Sequence, residues 1–179
     1  MLDSHPGSLL QRISDYELSW CVAFNRCARF RGIERGFAVV SRLGDGIAWY
    51  TLALVLPIIY GLDAIHTSLH MVVVGSVGLI LYKLLKVKTE RPRPFAVIDS
   101  IRLGTAPLDR YSFPSGHTLH AVAFTTVVVA DHPGLAWLLV PFAGLVALSR
   151  MVLGLHYPTD VLAGAAVGLA VSGLSLALL

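Results

Sequence analysis

Long apolar runs follow one another along most of this chain and are separated by short polar segments. Five of them approach the roughly 20 apolar residues that a helix needs to cross a bilayer. The runs predict membrane spans at residues 47–62, 67–85, 116–130, 135–152 and 159–178. The first carries Trp49, Tyr50 and Tyr60 near its ends, where an aromatic belt would lie. The third is so short that we expect it to begin below the membrane surface.

The N-terminal region has a different pattern. In residues 8–30 apolar positions are interleaved with charged and amide side chains, which predicts an amphipathic helix in the membrane interface. A second, shorter helix is expected at 33–43, and Gly44-Asp45-Gly46 predicts a break after it. No signal peptide is expected. The predicted fold class is all-α: a single domain, with interfacial helices in 1–45 and a polytopic bundle of about five membrane spans in 46–179.

Composition and charge agree with lipid as the solvent. The chain is 55% hydrophobic and 14% charged, whereas soluble domains are about 25% charged. All fourteen Lys and Arg residues lie in 12–42, in 83–110 or at position 150. Five crossings place these regions on one membrane face, and only short turns and the C-terminus on the other. Basic residues beside long apolar runs suit an anionic lipid better than a nucleic acid, so no nucleic-acid partner is expected.

Three polar segments fall on that basic face. They are Lys86 followed after six residues by Arg93-Pro94, then Pro114-Ser115-Gly116-His117, then Ser149-Arg150 followed by His156 and Asp160. Ionisable residues at membrane depth are unfavourable, and by default they indicate function. Each segment alone has a structural explanation, as a basic loop, a helix cap or a capping pair. Their occurrence together on one face favours chemistry.

The residue types fit a phosphate site. Lys86, Arg93 and Arg150 are cations from three distant segments, as a phosphate dianion requires. Ser115 is placed to cap a helix, which would leave the N–H groups of Ser115, Gly116 and His117 as an anion site. Pro158 predicts a helix start that puts Asp160 in the first turn. Asp160 would then orient His156 as a nucleophile, while His117 acts as general acid.

The three segments resemble the tripartite signature of the type-2 phosphatidic acid phosphatase superfamily: Lys-x6-Arg-Pro, Pro-Ser-Gly-His and Ser-Arg-x5-His-x3-Asp. Every position matches, over roughly residues 80–170. The resemblance implies an all-helical membrane enzyme that needs no metal or other cofactor and acts through a phosphohistidine at His156. Phosphate would be held by Lys86, Arg93, Ser115, Gly116 and Arg150, with catalytic roles for His156, His117 and Asp160. Many relatives have six spans, so the interfacial helix here takes the place of the first.

Several alternatives remain open at this point. A lipid-binding or transport membrane protein would also keep buried charges, and vanadium haloperoxidases share the phosphate signature but are not built from apolar spans. The substrate is expected to be a lipid phosphate, with undecaprenyl pyrophosphate, phosphatidylglycerophosphate, phosphatidate and lipid A phosphate as candidates. The oligomeric state is open. Resemblance to bacterial relatives places the protein in the cell (inner) membrane with its site on the periplasmic or extracellular face, whereas the positive-inside rule alone would favour the cytoplasm.

Overall fold

The computed structural model describes residues 9–178, with side chains from residue 16 onward. Within these residues the chain forms helices and no strand, which confirms the predicted fold class. The eight α-helices are α1 (Leu9–Asn25), α2 (Arg31–Arg42), α3 (Ala48–Tyr60), α4 (Ala64–Thr89), α5 (Pro94–Val97), α6 (Gly116–Asp131), α7 (Ala136–Val152) and α8 (Pro158–Leu178).

Four stretches of the described chain are long and apolar enough to cross a membrane. They are Arg31–Tyr60, Ala64–Val97, Pro133–Val152 and Pro158–Leu178. The predicted span at 116–130 corresponds to α6, which has 16 residues and is slightly shorter than a full crossing requires. It is the span that was expected to begin below the membrane surface, and the other four predicted spans overlap these four stretches. Large apolar side chains on α3, α4, α7 and α8 are exposed, as expected for helices that face lipid.

Helix α6 is the central helix of the bundle. It packs against α8, α4 and α7, and its Leu119, Ala121 and Val127 are completely buried. A Cβ atom at Gly164 or Gly168 of α8 would lie 2.5 Å from the carbonyl oxygen of Ser115 or Leu119, respectively. The glycines therefore allow α8 to lie directly against the backbone of α6, as small residues do between membrane helices. This contact fixes the start of α6 beside the start of α8.

The predicted break at Gly44-Asp45-Gly46 is a kink and not a loop. Helices α2 and α3 are joined by a π-helical turn, Leu43–Ile47, in which Gly46 has a φ of 136°. That backbone conformation is accessible mainly to glycine. Trp49, expected in an interfacial belt, is instead buried between Phe124 and Phe142, with ring centroids 5.5 and 5.4 Å away. Its indole N–H donates to the carbonyl of Gly44, which holds the kink against the core.

Helix α1 matches the helix predicted at 8–30, and a short 3-10 turn, Arg26–Arg29, follows it. It packs against α7 and α8. Its last residue, Asn25, is buried and donates to the carbonyls of Arg102 and Val152, both over 2.9 Å. One amide side chain thus ties the end of α1 to the loop after α5 and to the end of α7. These contacts bring the N-terminal helix to the face that carries the polar segments.

Candidate active site

The three predicted cations meet at one end of the bundle. Lys86 lies near the end of α4, Arg93 immediately before α5, and Arg150 near the end of α7. All three residues are buried, with 6%, 3% and 2% of their surface exposed. Buried charges need partners. Lys86 and Arg93 have a carboxylate and backbone carbonyls as acceptors, whereas Arg150 donates to a hydroxyl, that of Ser41.

Asp109 from the loop 98–115 is the carboxylate shared by two of the cations. One of its oxygens, Oδ1, accepts from Lys86 Nζ over 2.6 Å and from Arg93 Nη2 over 2.7 Å. The Asp109 backbone carbonyl also accepts from Arg93 Nε. Burial alone would raise the pKa of Asp109, but the hydrogen bond and charge of Lys86, followed by the charge of Arg93, hold that pKa below its usual range. Asp109 is therefore an anion paired with two of the three cations that the sequence predicts to bind phosphate.

His156 lies just before α8 and is buried. Its Nε2 atom is 3.2 Å from Arg93 Nη1, and its Nδ1 atom is 3.5 Å from Asp160 Oδ2. Burial, then the positive charges of Arg150 and Arg93, hold the pKa of His156 well below its ordinary value. The imidazole is therefore neutral at neutral pH, with one nitrogen toward the cations and the other toward a carboxylate.

Asp160 sits in the first turn of α8, as predicted. It is completely buried, and its Oδ2 atom accepts from the backbone N–H of Tyr157 over 2.9 Å. This is half of a capping box, in which an acidic side chain reaches back to the N–H group that precedes the helix. The cap fixes the side of the carboxylate that faces His156.

The start of α6 differs from the sequence prediction in two details. Ser115 occupies the N-cap position, but its hydroxyl pairs with Thr118 Oγ1 over 2.9 Å and not with a backbone N–H. The Ser115 N–H donates to the carbonyl of Asp160 over 3.0 Å, so it is not free for an anion. Gly116 and His117 occupy the first turn, where N–H groups have no intrahelical acceptor. Of the three N–H groups predicted to bind an anion, those of Gly116 and His117 therefore remain available.

A second carboxylate lies beside the predicted general acid. Asp45 Oδ1 is 3.5 Å from His117 Nε2, and the π-helical turn with its positive φ at Gly46 carries Asp45 to this position. Ser41, one turn earlier, accepts from Arg150 Nη1. The kinked region between α2 and α3 thus supplies two polar contacts to the site, and neither was predicted from the sequence.

Arg150 keeps one donor without an acceptor. Among the described residues, Arg150 Nε and His156 Nδ1 are the buried side-chain nitrogen or oxygen atoms that have no hydrogen-bond partner. An unpaired buried guanidinium N–H is unfavourable. A phosphate oxygen in the adjacent cavity is the kind of acceptor that would satisfy it.

A cavity of about 340 Å³ joins these side chains to the apolar middle of the bundle. Six of the eight predicted site residues line it: Lys86, Arg93, Gly116, His117, Arg150 and His156. Ser115 and Asp160 are fully buried behind its wall. Away from the cations, the lining is mostly apolar and comes from α3, α4 and α6: Trp49, Ala53, Met71, Val72, Leu79 and Phe124. The cavity therefore has a cationic end and an apolar end.

Asp45 and Asp109 also belong to the site, and neither was predicted from the sequence. Their spacing relative to the recognised segments carries no signal, because each is positioned by tertiary contacts. One general signal was present: three buried cations require neighbouring anions, and the loop that bears Asp109 and the glycine-flanked Asp45 were the available sources.

Known proteins resemble this chain in sequence and in fold. The PAP2 superfamily model matches residues 66–179. The undecaprenyl-diphosphatase of Sulfolobus acidocaldarius is 28% identical over 160 residues, covering 89% of this chain and 75% of that protein. Phosphatidylglycerophosphatase B of Bacillus subtilis is 33% identical over 116 residues, covering 57% and 53%. The crystal structure of Aquifex aeolicus LpxE superposes with a TM-score of 0.79 at 27% identity, covering 89% of this chain and 94% of that one.

These findings confirm the enzyme class predicted from the sequence, a lipid phosphate phosphatase, and a multi-pass membrane protein. The family match covers all three polar segments, and the structure brings their side chains around one cavity. The chain belongs to the PAP2 superfamily.

Proposed function

We propose that this protein hydrolyses a phosphate mono- or diphosphate ester of a membrane lipid through a phosphohistidine at His156. The observation that carries the proposal is the cavity with two chemically different ends. Its cationic end suits a phosphate, and its apolar end, lined by residues such as Met71 and Leu79 of α4, suits the adjoining lipid chain. A soluble phosphate ester has no apolar chain that would occupy the apolar end of the cavity.

The cations hold the phosphate. Lys86 contributes a point charge and Arg93 and Arg150 planar guanidinium groups, and the N–H groups at the start of α6 add neutral donors. Arg150 Nε is the buried donor that a phosphate oxygen would satisfy. Charge on the equatorial oxygens of the transition state is stabilised by this preorganised set, which is the main protein contribution in phosphoryl transfer.

The reaction proceeds in two steps. His117 begins the cycle as an imidazolium, a form that Asp45, 3.5 Å away, and the bound phosphate would stabilise. His156 attacks phosphorus through the lone pair of Nε2, the bond from phosphorus to the leaving oxygen breaks, and His117 donates its proton to that oxygen. Asp160 faces the other nitrogen and stabilises the positive charge that develops on the ring. A water molecule then attacks phosphorus, His117 takes its proton, and the phosphorus–nitrogen bond breaks. Inorganic phosphate leaves, and His156 is again neutral.

The substrate class follows from the named relatives, which act on an undecaprenyl diphosphate and on a phosphatidylglycerophosphate. Both molecules carry a terminal phosphate on a lipid anchor, and that shared feature is what the cavity fits. We favour these two substrates over phosphatidate and lipid A phosphate.

Phosphate release from a panel of lipid phosphates tests the proposal directly. The purified protein in detergent is assayed with the four candidate lipids and with glycerol phosphate as the soluble control. We expect release from at least one lipid, little from glycerol phosphate, and none from His156→Ala. A protein that binds these lipids without releasing phosphate would be a lipid-binding protein, and the proposed enzyme function would be wrong.

The site is placed on the periplasmic or extracellular face of the cell membrane. Basic residues dominate the site face, which the positive-inside rule would assign to the cytoplasm. Several of them are engaged in the site itself, however: Lys86 and Arg93 pair with Asp109, and Arg150 bonds Ser41. Charges that serve the site are weak reporters of topology, so the charge count carries little weight against the outer face, which the resemblance to bacterial relatives favours.

A further inference from the structure

Arg91 is a cation of the first polar segment that the phosphate site does not use. It does not line the cavity. Its Nη1 atom donates to Asp160 Oδ1 over 2.7 Å and to Thr159 Oγ1 over 2.8 Å, and its Nη2 atom donates to Glu17 Oε2 over 2.6 Å. The guanidinium also lies over the ring of Tyr157, 3.9 Å from its centroid. Arg91 thus bridges one carboxylate of the site and one carboxylate of α1.

Asp160 depends on this bridge for its position. Its side chain is completely buried, and its two oxygens have different partners. Oδ2 is held by the Tyr157 N–H and faces His156 Nδ1, whereas Oδ1 is held by Arg91. Among the described residues Arg91 is the only Lys or Arg in an ion pair with this carboxylate. Loss of that partner would leave a buried charge free to turn away from the histidine.

Glu17 extends the bridge to the N-terminal helix. Its Oε2 atom pairs with Arg91, and its Oε1 atom accepts from the backbone N–H of Thr159 over 3.1 Å and from the Thr159 hydroxyl. Thr159 lies in the first turn of α8, where a negative charge is favourable. Glu17 therefore caps α8 from outside and holds Arg91 against Asp160 at the same time. Helix α1 lies outside the residues that the family model matches.

We propose that Arg91 and Glu17 are positioning residues that align Asp160 with His156, so that helix α1 forms part of the catalytic apparatus. This inference rests on the proposed function, because that function assigns Asp160 the role of orienting His156. The backbone of Arg91 is itself fixed, since its carbonyl accepts from Ser112 N over 2.9 Å. The chain Glu17–Arg91–Asp160–His156 thus runs from α1 to the nucleophile through direct contacts.

The planar fork of arginine explains why lysine would not be equivalent. Arg91 contacts Asp160 and Glu17 through two different nitrogens in one plane while it stacks on Tyr157. A lysine has a single nitrogen and would have to choose between these carboxylates. Arg91→Lys should therefore recover only part of the function that Arg91→Gln loses.

Steady-state kinetics on the full-length protein in detergent tests the inference, with the lipid that the substrate panel identifies. We expect Arg91→Gln to lower kcat about 10- to 100-fold, the range for partners that orient a reacting side chain, with KM nearly unchanged. Glu17→Gln should lower kcat in the same direction by less, and Arg91→Lys should lie between wild type and Arg91→Gln. Arg29→Gln, an exposed arginine outside the network, is the control and should match wild type.

A double-mutant cycle separates positioning from general destabilisation. If Arg91 acts through Asp160, Arg91→Gln should have little further effect on kcat in an Asp160→Asn background, because the carboxylate that it orients is already gone. An equal loss in both backgrounds would overturn the inference, and so would an unchanged kcat in Arg91→Gln. If Arg91→Gln alone fails to fold, the double variant Arg91→Gln/Asp160→Asn, which lacks both charges, is used instead. Its kcat is compared with that of Asp160→Asn, and the inference expects the two values to be similar.

The two proposals fail in different ways. Wild-type turnover in His156→Ala would overturn the phosphohistidine mechanism. An inactive His156→Ala together with a fully active Arg91→Gln would overturn only the positioning role of Arg91 and leave the proposed function standing.

Discussion

Arg93 and His156 are in direct contact: Arg93 Nη1 lies 3.2 Å from His156 Nε2. A guanidinium can only donate hydrogen bonds, so Nε2 must present its lone pair to Arg93. The ring proton is therefore on Nδ1, which faces Asp160. Arg93 thus selects the tautomer in which the nucleophilic lone pair points toward the phosphate-binding cations. This relationship supports the proposal that His156, and not His117, is the nucleophile, and the following predictions test it.

Replacement of His156 by alanine should abolish turnover. The side chain supplies the atom that bonds to phosphorus, so we expect kcat to fall by about 10⁴-fold or more. Acid-labile phosphate should be trapped on the wild-type chain during turnover with labelled substrate, but not on the variant. His66→Ala is the matched control, because His66 is exposed at the opposite end of α4. More than a few per cent of wild-type turnover in His156→Ala would remove it from the nucleophile role.

The loss of activity in His117→Ala should be larger for a substrate with a poorer leaving group. A general acid contributes about 10²- to 10⁴-fold when the leaving oxygen needs a proton. His117→Ala should therefore lose about that factor with a lipid monophosphate, whose leaving group is an alcohol. With p-nitrophenyl phosphate the loss should be much smaller, because nitrophenolate leaves without protonation. An equal loss on both substrates would show that His117 binds phosphate and does not act as the acid.

Asp109 should compete with the phosphate of the substrate. Its carboxylate occupies Lys86 and Arg93 in the free protein, and its pKa below the usual range keeps it charged at neutral pH. Asp109→Asn should bind vanadate, a phosphate analogue, up to about 5-fold more tightly, as expected for loss of a partly exposed pair. Inhibition constants measured beside Asp99→Asn, an exposed carboxylate of the same loop, provide the check. Weaker vanadate binding would mean that Asp109 preorganises the cations and does not obstruct them.

The sequence predicted the chemistry better than the architecture around it. Lys86, His117 and His156 belong to segments whose residue types and internal spacing can be recognised without coordinates, and the structure places all three around one cavity. Helix α6 was predicted from its apolar side chains, but its central position among α4, α7 and α8 could not be, because hydropathy does not distinguish burial in lipid from burial in protein. The same limit applies to Trp49, whose aromatic ring suits an interface as well as a core.

Residues that act through tertiary contacts could not be predicted. Glu17 and Arg91 are 74 positions apart and meet only because α1 packs beside α8. Gly44-Asp45-Gly46 predicted a break, but the sequence could not show its form: tight packing on Val146 and a hydrogen bond from Trp49 make it a kink within a helical segment. In each case a contact between distant parts of the chain decided a local structure that the sequence alone left open.

Activity should persist in EDTA. Among residues with described side chains, no group of three or more His, Cys, Asp or Glu could hold a metal ion, and Asp109 and Asp160 are both paired with cations. The cationic cluster performs the charge neutralisation that Mg²⁺ performs in many phosphoryl-transfer enzymes. Phosphate release measured with and without EDTA should agree. A loss that only added Mg²⁺ restores would contradict the mechanism.

The membrane face of the site can be settled by cysteine labelling. Both native cysteines, Cys21 and Cys27, are replaced by alanine, and single cysteines are placed at Ser100 and at Gly134. Ser100 is exposed on the loop of the site face. Gly134 lies in the turn at the opposite end of α6, with no atom within 4 Å of an added Cβ.

A membrane-impermeant maleimide is then applied to intact spheroplasts, with detergent-permeabilised spheroplasts as the control in which both positions should react. If the site faces the periplasm or the exterior, Ser100→Cys should be labelled in intact spheroplasts and Gly134→Cys only after permeabilisation. The opposite pattern would place the site in the cytoplasm. It would also mean that the arginines of α2, which do not line the cavity, follow the positive-inside rule and report the true orientation.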